Sequence, residues 1–305
     1  MRRWLVLVLG TALLAPASAG AQQQMFPDVK VRFSKSDKDR VLVNKKADLV
    51  LDGTARRIMV KHKAAPLDVG YDDVQRIVFD TSRHFRQHSP LIGGVVGAAV
   101  ASRTVTDQWC YLEYKTTEGA TRPYLLQVAS GSADSLRNSM RSIFGDRVEI
   151  AEFSEPDTAI EKATLKEASA KFEVRADKRN HPMPELKPDQ ALVVAVCPTL
   201  TPEGAGRGPL FKLHANDRVV VINKEGTYGY AYLDPGEYLL VSQCENANGL
   251  KIALEAGRDY YFFQNMLFGA MTPKTDLSRH SKELVMYELN GAYYSEWRPK
   301  LQAGE

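Results

Sequence analysis

Cysteine and histidine are scarce: three and six among 305 residues. That rules out a cysteine-rich zinc module or a dense disulfide framework. Charge of one sign is not in excess, with 40 Lys and Arg against 37 Asp and Glu. Such a balance gives no electrostatic case for nucleic acid or for an anionic membrane as main partner. No G-x-S-x-G, S-x-x-K or Cys–His signature occurs, so no nucleophile arrives with its base in a known pattern. Carboxylates are scattered, and no cofactor is implied.

What is present begins at the N-terminus. Arg2 and Arg3 precede Trp4–Leu14, an uncharged apolar run of 11 residues. Ala17-Ser18-Ala19 and Ala19-Gly20-Ala21 follow as small-x-small sites. This is the pattern of a cleavable export signal over residues 1–21. As a helix the run reaches roughly 16 Å against a hydrocarbon core of about 30 Å, too short for a membrane anchor. Its removal leaves 38 basic against 37 acidic residues. No Cys follows the run to accept lipid, and no later stretch is long enough to span a bilayer. The expected location is periplasmic or secreted.

An odd cysteine count in an oxidising compartment allows at most one internal bridge. Cys197 and Cys244 each end an apolar strand pattern; bridging them would close a loop worth about 4 kcal/mol. The alternative is that they are small buried hydrophobes, as Cys110 between Trp109 and Tyr111 is expected to be.

Residues 25–150 read as strands followed by one helix. Val29–Phe33, Ala47–Leu51, Arg56–His62, Val74–Asp80, Trp109–Lys115 and Tyr124–Ala129 show strand character with turn residues between them. Ala133, Leu136, Met140, Ile143 and Phe144 then fall on one helical face, with Ser132 as N-cap and Gly145 as stop. Strands closed by an amphipathic helix predict a curved sheet or small open barrel with the helix over one end. The stretch Gly70-Tyr71-Asp72-Asp73-Val74-Gln75-Arg76-Ile77, with Tyr111–Tyr114, Gly119 and Leu125–Val128, resembles bacterial pleckstrin-homology/GRAM-like barrels. The resemblance implies a barrel capped by its C-terminal helix.

Residues 151–190 read as a linker. Asp157–Phe172 is helix-prone, with Glu167 and Lys171 as an i,i+4 pair, and Pro182, Pro184 and Pro188 follow. From Ala191 strands recur at short spacing (ALVVAVC, DRVVVIN, TYGYAYL, EYLLVSQ, LKIALE, DYYFFQNMLF, ELVMYEL), which predicts a mainly β chain ending in a β-sandwich over 191–298. Gly226-Thr227-Tyr228, Pro235-Gly236-Glu237-Tyr238 and Ala256-Gly257-Arg258-Asp259-Tyr260-Tyr261-Phe262 resemble the DUF2846 family of exported bacterial proteins. That resemblance implies an immunoglobulin- or prealbumin-like sandwich in the cell envelope and no particular activity.

Four further features bear on function. His84 and His88 have a chelating spacing, but no helix or third ligand accompanies them, so a solvated basic loop is expected. Gly204, Gly206 and Gly208 lie between prolines and ahead of a strand, which is no phosphate cradle. Leu91–Ala101 is an uncharged run containing Ile92, Val95 and Val96. It reads either as a hairpin or short helix that docks on membrane or partner, or as a glycine-rich connection folded under the barrel, the reading favoured here. Tyr228, Tyr230 and Tyr232 share one strand face. Exposed, they would stack on glycan or receive a peptide strand; otherwise they form a core face covered by the opposite sheet, as favoured here. The expectation is a non-catalytic binding or scaffolding protein of the envelope, its partner a protein, glycan or lipid surface. Assembly through sheet edges comes second, and an enzyme acting on envelope glycan or peptide third.

Overall fold

The computed structural model describes residues 23–34, 40–63, 65–87, 102–155, 157–160, 165, 171–199, 205–268 and 273–300. The export signal, His88 and the segment with Ile92, Val95 and Val96 lie outside the described residues.

Two antiparallel meanders build the N-terminal half. The first is β1 (Gln23–Ser34), β2 (Arg40–Asp52), β3 (Arg57–Lys61) and β4 (Leu67–Gly70). The second is β5 (Val74–Gln87), β6 (Ser102–Lys115) and β7 (Thr121–Gln127). They join where Lys30–Arg32 of β1 pair with Leu125–Gln127 of β7. Helix α1 (Ser130–Phe144) follows, and β8 (Val148–Phe153) returns parallel to β5. The result is one eight-stranded sheet ordered β4-β3-β2-β1-β7-β6-β5-β8. It does not close into the expected barrel: β8 takes the free side of β5, and β4 and β8 remain as its two edges.

The core of this half is apolar and one-sided. Ile77, Phe79, Cys110 and Leu112 face it, together with Ala133, Leu136, Met140 and Phe144 of α1. Ile143 is half-buried against it. Gly145 ends the helix with φ +56°, and its N–H returns to the Arg141 carbonyl. The N-cap position is Ala129 rather than Ser132, whose hydroxyl donates to the Ala129 carbonyl. His84, expected in a loop, lies in β5 opposite Val105 of β6.

The C-terminal half is two sheets around a second core. The six-stranded sheet runs β10 (Phe172–Asp177), β19 (Tyr293–Pro299), β14 (Thr227–Leu233), β11 (Ala191–Cys197), β17 (Asp259–Phe268), β18 (Pro273–His280). The five-stranded sheet runs β13 (Arg218–Asn223), β12 (Phe211–Ala215), β15 (Gly236–Gln243), β16 (Ala247–Leu254), β9 (Asp157–Ile160). Val193, Ala195, Ala231, Leu233, Phe262 and Leu277 meet Leu213, Val221, Leu240 and Leu250 between them. Gly229 permits this approach, since a Cβ there would meet Val221 Cγ1 at 2.7 Å. Part of the interior is polar. Asn223 donates to the Ala195 carbonyl (3.0 Å) and to Gln264 (2.9 Å), Gln264 donates to Ser242 (3.1 Å), and Ser242 pairs with Thr275 (2.8 Å).

Two expectations are corrected. The segment expected as a helix from Asp157 to Phe172 supplies β9 at one end and the first residue of β10 at the other. These two strands complete the edges of the five- and six-stranded sheets, pairing with β16 and β19. Sheet pairing has overridden helix propensity there. ELVMYEL, expected as a strand, lies in helix α2 (Lys282–Leu289). Ser281 caps it by accepting from the Leu284 N–H, and burial of Leu284, Val285 and Leu289 leaves no one-sided stripe to read.

Candidate functional site

Side chains alternate across a strand, so each strand of the six-stranded sheet sends one set inward to the sandwich core and the other outward. The outward set includes Leu192, Val194 and Val196 of β11, opposite Tyr232, Tyr230 and Tyr228 of β14. Across the sheet it continues through Tyr261 and Phe263 of β17 to His280 and Ser278 of β18. Every residue of β11 is buried, because this outer face is covered as completely as the inner one. Two different covers do this, and each makes a site.

The first cover is the N-terminal half. Trp109 and Tyr111 point away from their own core, and Trp109 and Leu125 join Val194, Tyr261, Phe263 and Leu284 in one apolar cluster. Asp80, beside Trp109 in the β5–β6 ladder, reaches into the same joint. One of its oxygens is 2.8 Å from His280 Nδ1, and the other accepts the Ser281 N–H at 2.5 Å. His280 Nε2 lies 2.9 Å from the Ser278 hydroxyl. Asp80, His280 and Ser278 thus stand in the order of a carboxylate–imidazole–hydroxyl relay. Their exposures are 1%, 2% and 0%, and the Phe263 ring lies 4.6 Å from the imidazole. A substrate carbonyl has no approach to a hydroxyl enclosed in this way. The carboxylate here satisfies an imidazole and a helix-capping N–H, which is the requirement on any buried charge.

Ion pairs rim the joint. Arg32 contacts Glu288 at 3.3 Å, and Tyr287 donates to the Arg32 carbonyl. Arg76 bonds both Glu149 of its own half and Glu283 of α2, and its hydrogen bonds hold the Glu149 carboxyl below its ordinary range. Arg279 pairs with Glu155 and lies over Phe153 and Tyr260.

The second cover is the proline-rich stretch. Tyr228 donates its hydroxyl to the Pro182 carbonyl (2.9 Å), and Tyr232 donates to the Glu185 carbonyl (2.7 Å). The His181 ring sits 4.8 Å from Tyr228, and the Lys187 ammonium 3.9 Å above Tyr232. Tyr294 of β19 extends the ladder, 5.5 Å from Tyr228 and 5.8 Å from Tyr230. Burial pushes the Tyr228 phenol well above its ordinary pKa. The favoured expectation, a core face under the opposite sheet, is therefore corrected, and the stripe is not bare either. The opposite sheet lies on the other side, and a strap from the expected linker covers the rings. Beside Tyr232 a cleft of about 450 Å³ opens, lined by Gln190, Arg218, Leu233, Asp234 and Tyr238.

Cys197 and Cys244 are brought together in an apolar cluster with Phe211 and Met266, as the disulfide expectation requires, yet no bridge joins them here. Burial raises the Cys197 thiol well above its ordinary pKa and pushes the Cys110 thiol up to about 12. Gly206 and Gly208 turn at positive φ ahead of β12, with no helix to receive a phosphate. Among the described residues, no group of three or more His, Cys, Asp and Glu is placed to hold a metal ion, and no helix is long and apolar enough to cross a membrane.

Sequence reading located the tyrosine stripe but not its cover, and missed the Asp80–His280–Ser278 relay. The relay had no local signal, its carboxylate lying 200 residues from its imidazole. No family model matches the chain, and no curated protein matches it.

Proposed function

We propose that the chain is an exported, non-catalytic binding or scaffolding protein of the bacterial envelope. On this reading the N-terminal half is a pleckstrin-homology-like unit, since two meanders joined through β1 and β7 precede a helix. The C-terminal half is an immunoglobulin- or prealbumin-like sandwich of the DUF2846 kind. One observation carries the non-catalytic part. The Asp80–His280–Ser278 relay is sealed in the joint at no more than 2% exposure, while the tyrosine-rich surface carries an exposed strap. Fold likeness adds no activity of its own.

A second reading, assembly through sheet edges, draws on the β5–β6 ribbon. Those strands stay paired out to Gln87 and Ser102, whereas β8 follows β5 only to Ser82 and β7 follows β6 only from Trp109. Among the described residues no third strand pairs along Arg83–Gln87 or Ser102–Thr106, and such an edge is the template for strand addition.

Photo-crosslinking in cells separates the two. A crosslinking residue at Leu186 on the strap, at Thr106 on the ribbon, or at Lys251 as control is activated in the exported protein. The proposed role predicts a recurrent envelope partner at Leu186 that is missing at Lys251; a partner at Thr106 alone favours edge assembly. The same bystanders at all three positions count against a dedicated binding role.

A further inference from the structure

The strap is bound to the tyrosine ladder in the manner of a ligand. Pro182, Pro184 and Pro188 fix φ, and each biases the residue before it toward extended geometry. Among the described residues, no main-chain hydrogen bond ties 182–189 to another segment. Its carbonyls are taken instead by tyrosine hydroxyls, while Pro182 and Pro184 are half-buried. Aromatic rings that pack prolines while a ring hydroxyl donates to a main-chain carbonyl are the recognition mode for extended proline-rich segments. On its outer side the strap exposes Met183 (46%) and Leu186 (49%), two of the three large apolar side chains exposed among the described residues. It is therefore a lightly held occupant, not a layer of core.

We infer that the ladder of Tyr228, Tyr230, Tyr232 and Tyr294 is a receptor for an extended, proline-containing segment of a partner protein, occupied in cis by residues 181–187. This deepens the proposed binding role and rests on it. A partner segment has more to gain than the strap does. Tyr230 and Tyr294 hydrogen-bond to each other, which leaves one hydroxyl proton of the pair for a partner carbonyl, and the 450 Å³ cleft beyond Tyr232 offers Arg218 and Asp234 to a longer chain. A second copy's strap has neither advantage. It brings the same contacts but must compete with a tethered one, whose effective concentration is on the order of millimolar.

The test uses the full chain and a fluorophore-labelled synthetic peptide of residues 178–190, followed by anisotropy. In wild type the cis strap masks the ladder, so the apparent affinity is reduced by the fraction of chains with the strap lifted. Pro182→Ser/Pro184→Ser weakens the strap and is expected to bind the peptide about tenfold more tightly than wild type. Adding Tyr228→Phe/Tyr232→Phe to that variant removes two hydroxyl donors and is expected to cost about tenfold. A peptide with its prolines replaced by serine is expected to bind at least about tenfold more weakly. Lys187→Ala, which leaves the prolines in place, guards against a folding defect in the double variant; it is expected to raise peptide affinity about threefold. Melting temperatures of all variants are recorded alongside. Equal peptide binding by wild type and both strap variants, indifference to the tyrosine pair, or equal binding of the serine peptide overturns the inference. So does a concentration-dependent dimer abolished by the strap substitutions, which assigns the ladder to a second copy. Failure here with specific crosslinks at Leu186 discards the proline-segment chemistry alone; failure of both discards the binding role as well.

Discussion

The two halves solve the same problem, a twisted sheet with an apolar face to hide, by different means. The N-terminal sheet packs one face against its own helix over a largely apolar core, in which the Tyr124 hydroxyl donates to the Ala65 carbonyl, and lends Trp109 and Leu125 of its other face to the joint. The six-stranded sheet buries both faces and relies on hydrogen bonds at each: Asn223–Gln264–Ser242–Thr275 inside, Asp80–His280–Ser278 outside. The first half is assembled largely from hairpin neighbours within two meanders, with β1–β7 and β5–β8 as its long-range pairings. The second depends on groups that meet only when distant segments arrive, namely the strap, α2 and the N-terminal half. A surface built from such late arrivals is where a cover can also leave.

Asp80→Ala is expected to have the largest effect, because it strands a buried imidazole and the Ser281 N–H together. Breaking a buried pair of this kind costs about 4 kcal/mol. Urea unfolding should show the loss together with a separation of the two halves into distinct transitions; a single unshifted transition would mean that the joint is not held by this contact.

Leu136→Ala comes next. Leu136 is fully buried where α1 meets the N-terminal sheet, so the cavity should cost about 3 kcal/mol. Asn223→Leu should cost about 2 kcal/mol, by leaving the buried Ala195 carbonyl and Gln264 oxygen without their donor. Combined, the two sharpen the contrast, since independent cores give additive losses within about 0.5 kcal/mol. A larger interaction energy in the double-mutant cycle would show that the halves share one core.

The contrast also explains what sequence could tell. Helix α1 was legible because its stripe faces one core and Gly145 stops it. The longer antiparallel strands were legible from alternation between turns. Leu67–Gly70 was too short to register, and Val148–Phe153 takes its place by pairing parallel with β5, about 70 residues earlier. Helix α2 reads like a strand because it is buried on more than one side. The spacing of Tyr228, Tyr230 and Tyr232 gave their common face, but what covers it comes from residues 181–187, which composition marked as a linker. Asp80, Ser278 and His280 carry no local pattern at all.

Tyr232→Phe should have the smallest effect, about 1 kcal/mol or less, since it removes one hydrogen bond to an exposed strap. Its signature is local: strap proteolysis should speed up several-fold while the unfolding midpoint barely moves. A large shift of the midpoint would make the strap part of the core.

Amide hydrogen exchange, read by mass spectrometry on the native full chain, tests that distinction most directly. The account predicts that the non-proline amides of 182–189 exchange within seconds, having no main-chain partner among the described residues, while β11 and β14 beneath them are protected by several orders of magnitude. Protection of 182–189 equal to that of β11 would contradict it, for then the strap would open only when the sheet itself unfolds.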